Sequence, residues 1–424
     1  MESIAFNIDN NETLIKNIYL KKRVETNMQA NRKEEFNNLV TRVEASFESH
    51  FKHQARWIAT APGRVNLIGE HTDYNGGFVF PMAIERNIVL AADEREGAPY
   101  GNTEITIYSE NLRDKQTLKI VNNTIAKTGE WTDYIAGIFA GFLNLGVKFK
   151  SLDIALDGDV SIGGGLSSSA ALEVSVATLL EAVAGKTLSP IEKVLLCQKA
   201  EHDYPGVPCG IMDQFASVNG KKDHLLLLDC ESQQAEAVPF TSDQYSILII
   251  DSNVKHSLAS GAYGKRRTEC EVATEILNVS TLRQASMVKL EENANKMDPV
   301  IFRRARHVIG EIKRTEQAAV AMKAGDWATV GNLMLASHYS LRDDYEVSCK
   351  ELDILVELTM ELGEAKGVVG TRMTGGGFGG CTVSVVPTSE VDDLIAGVSQ
   401  RYTEKTGIEP AMFITRPAEG ARMI

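Results

Sequence analysis

Between Leu152 and Gly185 the chain spells a strand, a tight glycine turn and a helix in direct succession, and no other stretch narrows the fold as far. Leu152 to Leu156 is an apolar run of strand character. Gly163, Gly164 and Gly165 let the backbone bend sharply, and after Ser167 no glycine or proline occurs until Gly185, with Ala, Leu, Glu and Val filling the interval. That composition predicts a helix with serine at its start and glycine at its stop. The turn then aims several backbone N–H groups and a helix N-terminus at one point, which makes an anion cradle. Ser167, Ser168 and Ser169 add hydroxyl donors and a neutral oxygen suited to a divalent cation. An isolated Gly-Gly-Gly with a following serine would be a flexible turn and a helix cap. The strand before it and the helix after it supply what a phosphate site requires.

Two other glycine stretches fail the same test. Gly185-Lys186-Thr187 imitates the end of a Walker loop, but position 180 is Leu where that loop needs Gly, and the tripeptide ends a helix instead of opening one. Gly375, Gly377 and Gly380 match the spacing of a dinucleotide fingerprint, yet Cys381 to Val386 alternates as a strand where that fingerprint opens a helix. The dehydrogenase reading fails there.

The densest polar chemistry lies upstream, in the run Gly63-Arg64-Val65-Asn66-Leu67-Ile68-Gly69-Glu70-His71-Thr72-Asp73-Tyr74-Asn75-Gly76-Gly77. It combines an arginine, two carboxylates, a histidine and four amide or hydroxyl side chains. A polyol is already well solvated in water, so a protein recognises it by pairing its hydroxyls with fixed carboxylate and amide groups. The run suits a sugar site, although Asp73 to Gly77 alone is also good turn chemistry.

With 424 residues, 43% of them hydrophobic, the chain favours two domains. A net charge of -13 and a pI near 5.2 argue against a nucleic-acid partner, which needs clustered Lys and Arg. The six cysteines show no CxxC spacing and read as reduced, cytosolic thiols. The N-terminus lacks a charged-then-apolar signal segment and no stretch is apolar enough to span a membrane, so the three glycosylation sequons are expected to be idle and the protein cytoplasmic.

Along the chain, residues 1–27 read as a polar extension, followed by an amphipathic helix over about 31–52. Strands are expected through Phe78-Val79-Phe80 and Ile88 to Ala92, then a polar hairpin region to about Val121 and a helix over Trp131 to Leu143. Beyond the glycine turn come a helix over Pro190 to His202, strands at Leu225 to Leu228 and Tyr245 to Asp251, and helices across Ala262–Leu277, Pro299–Lys323, Ala328–Leu335 and Cys349–Leu362. A strand from Cys381 to Val386, a helix from Glu390 to Lys405 and a strand near Ala411 to Thr415 close the chain.

The run at 63–77 resembles the signature of galactokinases, a family of the GHMP kinase superfamily that also holds homoserine, mevalonate and phosphomevalonate kinases. Gly163 to Ala171 is similar to that superfamily's phosphate loop and Met373 to Cys381 to its third, glycine-rich motif, so the resemblance covers roughly residues 30 to 424. It implies an α+β, two-lobed fold with the active site between the lobes. The N-terminal lobe, 28–235, would resemble a ribosomal-protein S5 domain, and the C-terminal lobe, 236–424, a ferredoxin-like layer. It implies transfer of the γ-phosphoryl of ATP to the anomeric hydroxyl of α-D-galactose. By motif position, the segment Gly206 to Gln214 places the catalytic aspartate at Asp213, with Arg64 paired to it; whether Asp213 takes the proton early or late stays open. Sugar contacts fall on Arg64, Glu70, His71, Asp73, Gly210, Asp213 and Tyr263, and nucleotide contacts on Gly163, Gly164, Gly165, Leu166, Ser167, Ser168, Ser169, Ala170 and Trp131. Magnesium falls to Ser169 and Glu201, with Glu173 as the rival ligand. The expected partners are galactose and ATP, with no nucleic acid, membrane or second subunit.

One departure is visible: Ser161-Ile162 stands where the family commonly has proline, which affects the stiffness of the loop's approach and not the reaction. The competing readings are an N-acetylgalactosamine kinase, against which the intact Thr72 to Gly77 run argues, and a galactose sensor without turnover, against which the complete Ser167 to Ala171 segment argues.

Overall fold

The computed structural model describes residues 32–95, 103–255 and 259–424; the expected extension at 1–27 lies outside the described residues. A seven-stranded sheet runs in the spatial order Arg422–Met423, Trp57–Asn66, Pro81–Glu94, Leu152–Gly158, Thr103–Ser109, Asp114–Val121 and Thr124–Ile125. Its ladders are antiparallel except for the parallel pairing of Thr103–Ser109 with Leu152–Gly158. Side chains alternate across a strand, and both faces of this sheet are covered. Val89, Ala91 and Ala155 meet Leu39, Val43 and Phe47 of the helix at 32–51. Leu90, Ala92 and Ile154 face the other way, into a core with Phe139 and Phe142 of the helix Asp133–Asn144 and Val174 and Val176 of the helix Ser168–Ala184.

A second, antiparallel sheet holds Gly370–Met373, Gly379–Pro387, Tyr245–Lys255 and Ala411–Thr415 in that order. Alternation again divides its strands. Leu248, Ile250 and Val386 pack on the helices Lys350–Gly363 and Val391–Thr406 through Leu355, Leu358, Leu394 and Val398. Ile247, Ile249, Val383 and Val385 join the core beneath the first sheet. The lobes therefore share buried apolar surface. A third sheet, Phe78–Val79, His224–Asp229 and Gln234–Pro239, flanks them.

Helices segregated onto the faces of mostly antiparallel sheets make this an α+β fold. The expected division at 235/236 falls inside Gln234–Pro239, a strand paired with His224–Asp229 along its whole length. We therefore place the division in 240–244, with Arg422–Met423 returning to pair with Trp57–Asn66. The helix expected over Ala328–Leu335 runs from Trp327 to Asp343, because no proline or glycine stops it after Leu335, and this extension carries Ser337 and His338 into the interior. The helix expected from Trp131 starts at Asp133, leaving Trp131 in the preceding turn. The short helix Met212–Asn219 has no counterpart in the sequence reading.

Candidate active site

The strand Trp57–Asn66 brings Arg64 up against the glycine turn, where its backbone N–H donates to the Leu166 carbonyl at 3.1 Å. The guanidinium then forks onto Asp213, with Nε on Oδ1 at 2.8 Å and Nη2 on Oδ2 at 2.9 Å, while Nη1 donates to the Gly165 carbonyl at 2.6 Å. Such bidentate, charge-assisted pairs fix orientation as well as charge. Asp213 sits in the first turn of Met212–Asn219, and the Ser167 hydroxyl donates to its Oδ2. Ser167 itself holds a left-handed backbone, φ 61°, at the head of Ser168–Ala184. Asp213 is thus held from behind by Arg64 and from the side by the phosphate loop. Its side chain remains 26% exposed against 5% for Arg64, so the carboxylate faces open space.

That space is a cavity of about 260 Å³ lined from all three glycine-containing motifs, including Ser167, Ser168 and Ser169 on one wall, Asp73 and His71 on another and Gly375 and Gly376 on a third. Asp73 lies in the single turn Asp73–Asn75. Burial, and then the charge of Asp213, push its carboxyl up to about 6. Gly210 has no room for a side chain: a Cβ there would lie 1.8 Å from Asp73 Oδ2. Gly210→Ala is expected to push Asp73 aside and, if this wall holds the sugar that the resemblance implies, to raise its dissociation constant at least tenfold, since displacements of about 1 Å in a site carry large penalties. Titration calorimetry reads this directly.

His71, at φ 64°, receives the Tyr74 hydroxyl on Nδ1 at 2.8 Å and donates from Nε2 to the Gly376 carbonyl at 3.3 Å. Burial, then His307, lower it to about 3, so it presents a neutral ring. Tyr263 closes this side with its ring 5.5 Å from both His71 and Tyr74. Burial and then Asp73 push its phenol well up. Glu70 lines the cavity too, but its carboxyl is saturated. Oε1 accepts from Thr374 Oγ1 and Gly375 N, each at 3.0 Å, and Oε2 from Asn66 Nδ2 at 2.9 Å, with Arg372 Nη2 at 2.5 Å. Glu70 therefore ties the first motif to the third.

Three family descriptions match in chain order: the galactokinase galactose-binding signature over residues 45–94, the GHMP kinases N terminal domain over 133–221, and the GHMP kinases C terminal over 318–404. Human galactokinase is 40% identical over 402 residues, covering 94% of this chain and 100% of that protein. The chain belongs to the galactokinase family. A Chloroflexus aurantiacus galactokinase is 42% identical over 368 residues, covering 86% of this chain and 92% of that one. The crystal structure of Lactococcus lactis galactokinase complexed with galactose superposes with a TM-score of 0.85 at 32% identity, covering 91% of this chain and 100% of that one. A mevalonate kinase structure at 18% identity and TM-score 0.60, covering 85% of this chain and 98% of that one, shares the fold. The GHMP kinase fold expected from the resemblance is thus borne out.

In this galactokinase-family chain Ser169 and Glu201 line the same cavity, and Glu201 accepts from Cys209 Sγ at 3.3 Å. Burial and then Asp213 push Glu201 up to about 7. A hydroxyl and a carboxylate are hard oxygen donors suited to magnesium, which keeps most of its own water and phosphate ligands. Among the described residues no three His, Cys, Asp or Glu side chains form a protein-only metal cage. Glu173 is fully buried and absent from the cavity wall. Gly164, Leu166 and Ala170 also lie behind the wall, the last two buried as the loop's apolar underside. Trp131 is not in the lining either; its indole N–H donates to Asp114 Oδ2 at 2.9 Å.

The sequence reading missed Arg372 and Gln214, both with side chains fully out of solvent. Arg372 carries a usable signal, the single charge in the run Val368-Val369-Gly370-Thr371-Arg372-Met373. Gln214 adjoins Asp213, but nothing in its spacing marks it.

Proposed function

We infer that this protein is an ATP-dependent galactokinase, converting α-D-galactose and ATP to galactose 1-phosphate and ADP. The observation that carries it is the Arg64–Asp213–Ser167 arrangement standing between a phosphate cradle and the Asp73–His71 wall, in a chain alike along nearly its full length to galactokinases.

In the reading we favour, the sugar lies against Asp73, His71, Gly210 and Tyr263, with its anomeric hydroxyl at the Asp213 carboxylate. The hydroxyl oxygen attacks the γ-phosphorus, the bond to the β–γ bridging oxygen breaks, and the hydroxyl proton passes to Asp213. Arg64 holds the Asp213 carboxyl in a two-pronged grip and lends positive charge to the attacking oxygen. The cavity-lining loop residues Gly163, Gly165, Ser167 and Ser168 and the helix start face the transferred phosphoryl group and stabilise its charge. Ser169 and Glu201 would hold a magnesium ion arriving with ATP, which would supply positive charge against the phosphates. Trp131 adjoining the adenine, a monomeric state and a cytoplasmic location complete the proposal; among the described residues no helix is long and apolar enough to cross a membrane.

A hydroxyl-binding Asp73 must be ionised, so protonation removes the acceptor. With Asp73 near 6, galactose affinity is expected to be full above pH 7 and to fall as pH drops through about 6. Binding titrations from pH 5 to 8 check this; an affinity flat across that range contradicts it. Activity itself is tested by ADP release with ATP and magnesium against galactose, N-acetylgalactosamine, glucose, homoserine and mevalonate. Galactose-dependent release supports the proposal. Preference for N-acetylgalactosamine, or tight binding of galactose and ATP without release, overturns it.

A further inference from the structure

The catalytic helix bears a second polar side chain directed away from the sugar. Gln214 is fully buried, and its Nε2 donates to Glu201 Oε2 at 2.6 Å and to Glu173 Oε2 at 3.0 Å. An amide nitrogen carries two hydrogens, so both are spent, one on each carboxyl. Glu173 projects from Ser168–Ala184 one turn beyond Ser169 and is itself fully buried. Glu201 comes from a different helix, Pro190–Asp203. Gln214 thus joins three helices at the point where the metal-facing carboxyl needs a fixed direction. Glu173 Oε1 and Gln214 Oε1 are both buried without a hydrogen-bond partner, which is costly to keep and is not explained by packing alone.

The geometry points to Gln214 and Glu173 as positioning residues for the metal–nucleotide complex: Glu173 anchors the Gln214 amide, and the amide, bonded to Glu201 Oε2, fixes the direction of the Glu201 carboxyl. This rests on the assignment of Glu201 as a metal ligand. It also gives Glu173 a role distinct from ligation, because Glu173 reaches the cavity only through Gln214. Partners behind a metal ligand commonly set metal affinity by factors of about 10 to 100 when removed. The same amide sits one residue from Asp213, so metal placement and the catalytic carboxylate share one helical turn.

The test uses the full chain with ADP and Mn2+, reading bound metal by electron paramagnetic resonance, with galactose affinity measured on the same samples by calorimetry. Gln214→Leu is expected to weaken Mn2+ in the ADP complex by roughly tenfold or more while leaving galactose affinity in place. Glu173→Leu, which frees the amide without removing it, is expected to weaken Mn2+ by a smaller factor and provides the reading if Gln214→Leu does not fold. Glu173→Gln keeps an acceptor for the amide and is expected to restore metal affinity. Wild-type metal affinity in Gln214→Leu and Glu173→Leu, or equal losses of Mn2+ and galactose binding, overturns the proposal. Glu201→Gln run alongside separates the two claims: if it too binds Mn2+ normally, the assignment of Glu201 as ligand fails; if it alone loses Mn2+, only the positioning role does.

Discussion

Asp213→Asn is expected to lower kcat by roughly a thousandfold, the middle to upper range for a positioned proton acceptor, while leaving galactose and ATP affinities within a few-fold. Asparagine keeps the shape but has a single acceptor oxygen; placed at the Oδ2 position it still accepts from Arg64 Nη2 and Ser167, and only the bond from Arg64 Nε at 2.8 Å is given up. What disappears is the basic oxygen that the proposed mechanism sets against the sugar hydroxyl. Equilibrium binding together with single-turnover phosphoryl transfer separates the effects. A variant that binds both substrates and retains more than a tenth of wild-type kcat would remove Asp213 from the proton path.

The second large effect lies beneath the sugar wall. Arg372 is fully buried, with Nη2 2.5 Å from Glu70 Oε2 and 4.0 Å from Glu311 Oε1, Nε on Ser337 Oγ at 3.1 Å and Nη1 on the Asn66 carbonyl at 3.2 Å. Burial pushes Glu70 up, and Arg372 with the neighbouring donors works against it. Burial would raise Glu311 as well, but Arg314, His307 and Arg372 outweigh it and hold that carboxyl at about 2. Arg372→Met fills the volume but leaves Glu70 with no cation, which is expected to cost about 3–5 kcal/mol because an uncompensated buried charge remains. Urea unfolding measures it, and Arg372→Met with Glu70→Gln is expected to regain part of the loss. A single variant within 1 kcal/mol of wild type would show that this network does not join the motifs energetically.

These two sites mark where sequence reading succeeds and where it stops. The phosphate loop was legible because its signals are local: a strand, a bend, and a helix running from Ser168 to a left-handed Gly185 at φ 59°. The following helix was equally plain, since Ser189 and Glu192 form a reciprocal capping box on either side of Pro190. Asp213 was placed by resemblance alone, because the helix it opens is eight residues long and follows Pro208 and Gly210, which obscure any periodicity. The Glu70–Arg372–Glu311 network could not be read at all. Glu70 lies more than two hundred positions before the other two, and only the stacking of the first motif, the third motif and the helix Pro299–Ala324 brings them together. The closing strand Arg422–Met423 is two residues long, too short for alternation to register.

The most direct measurement is phosphorus NMR of wild-type protein incubated with ATP, magnesium and galactose. The account predicts loss of the γ-phosphate resonance with stoichiometric appearance of a sugar 1-phosphate in the α configuration, and neither change in Asp213→Asn over the same interval. A phosphate ester at another hydroxyl, or unchanged ATP in the presence of bound galactose, would contradict it.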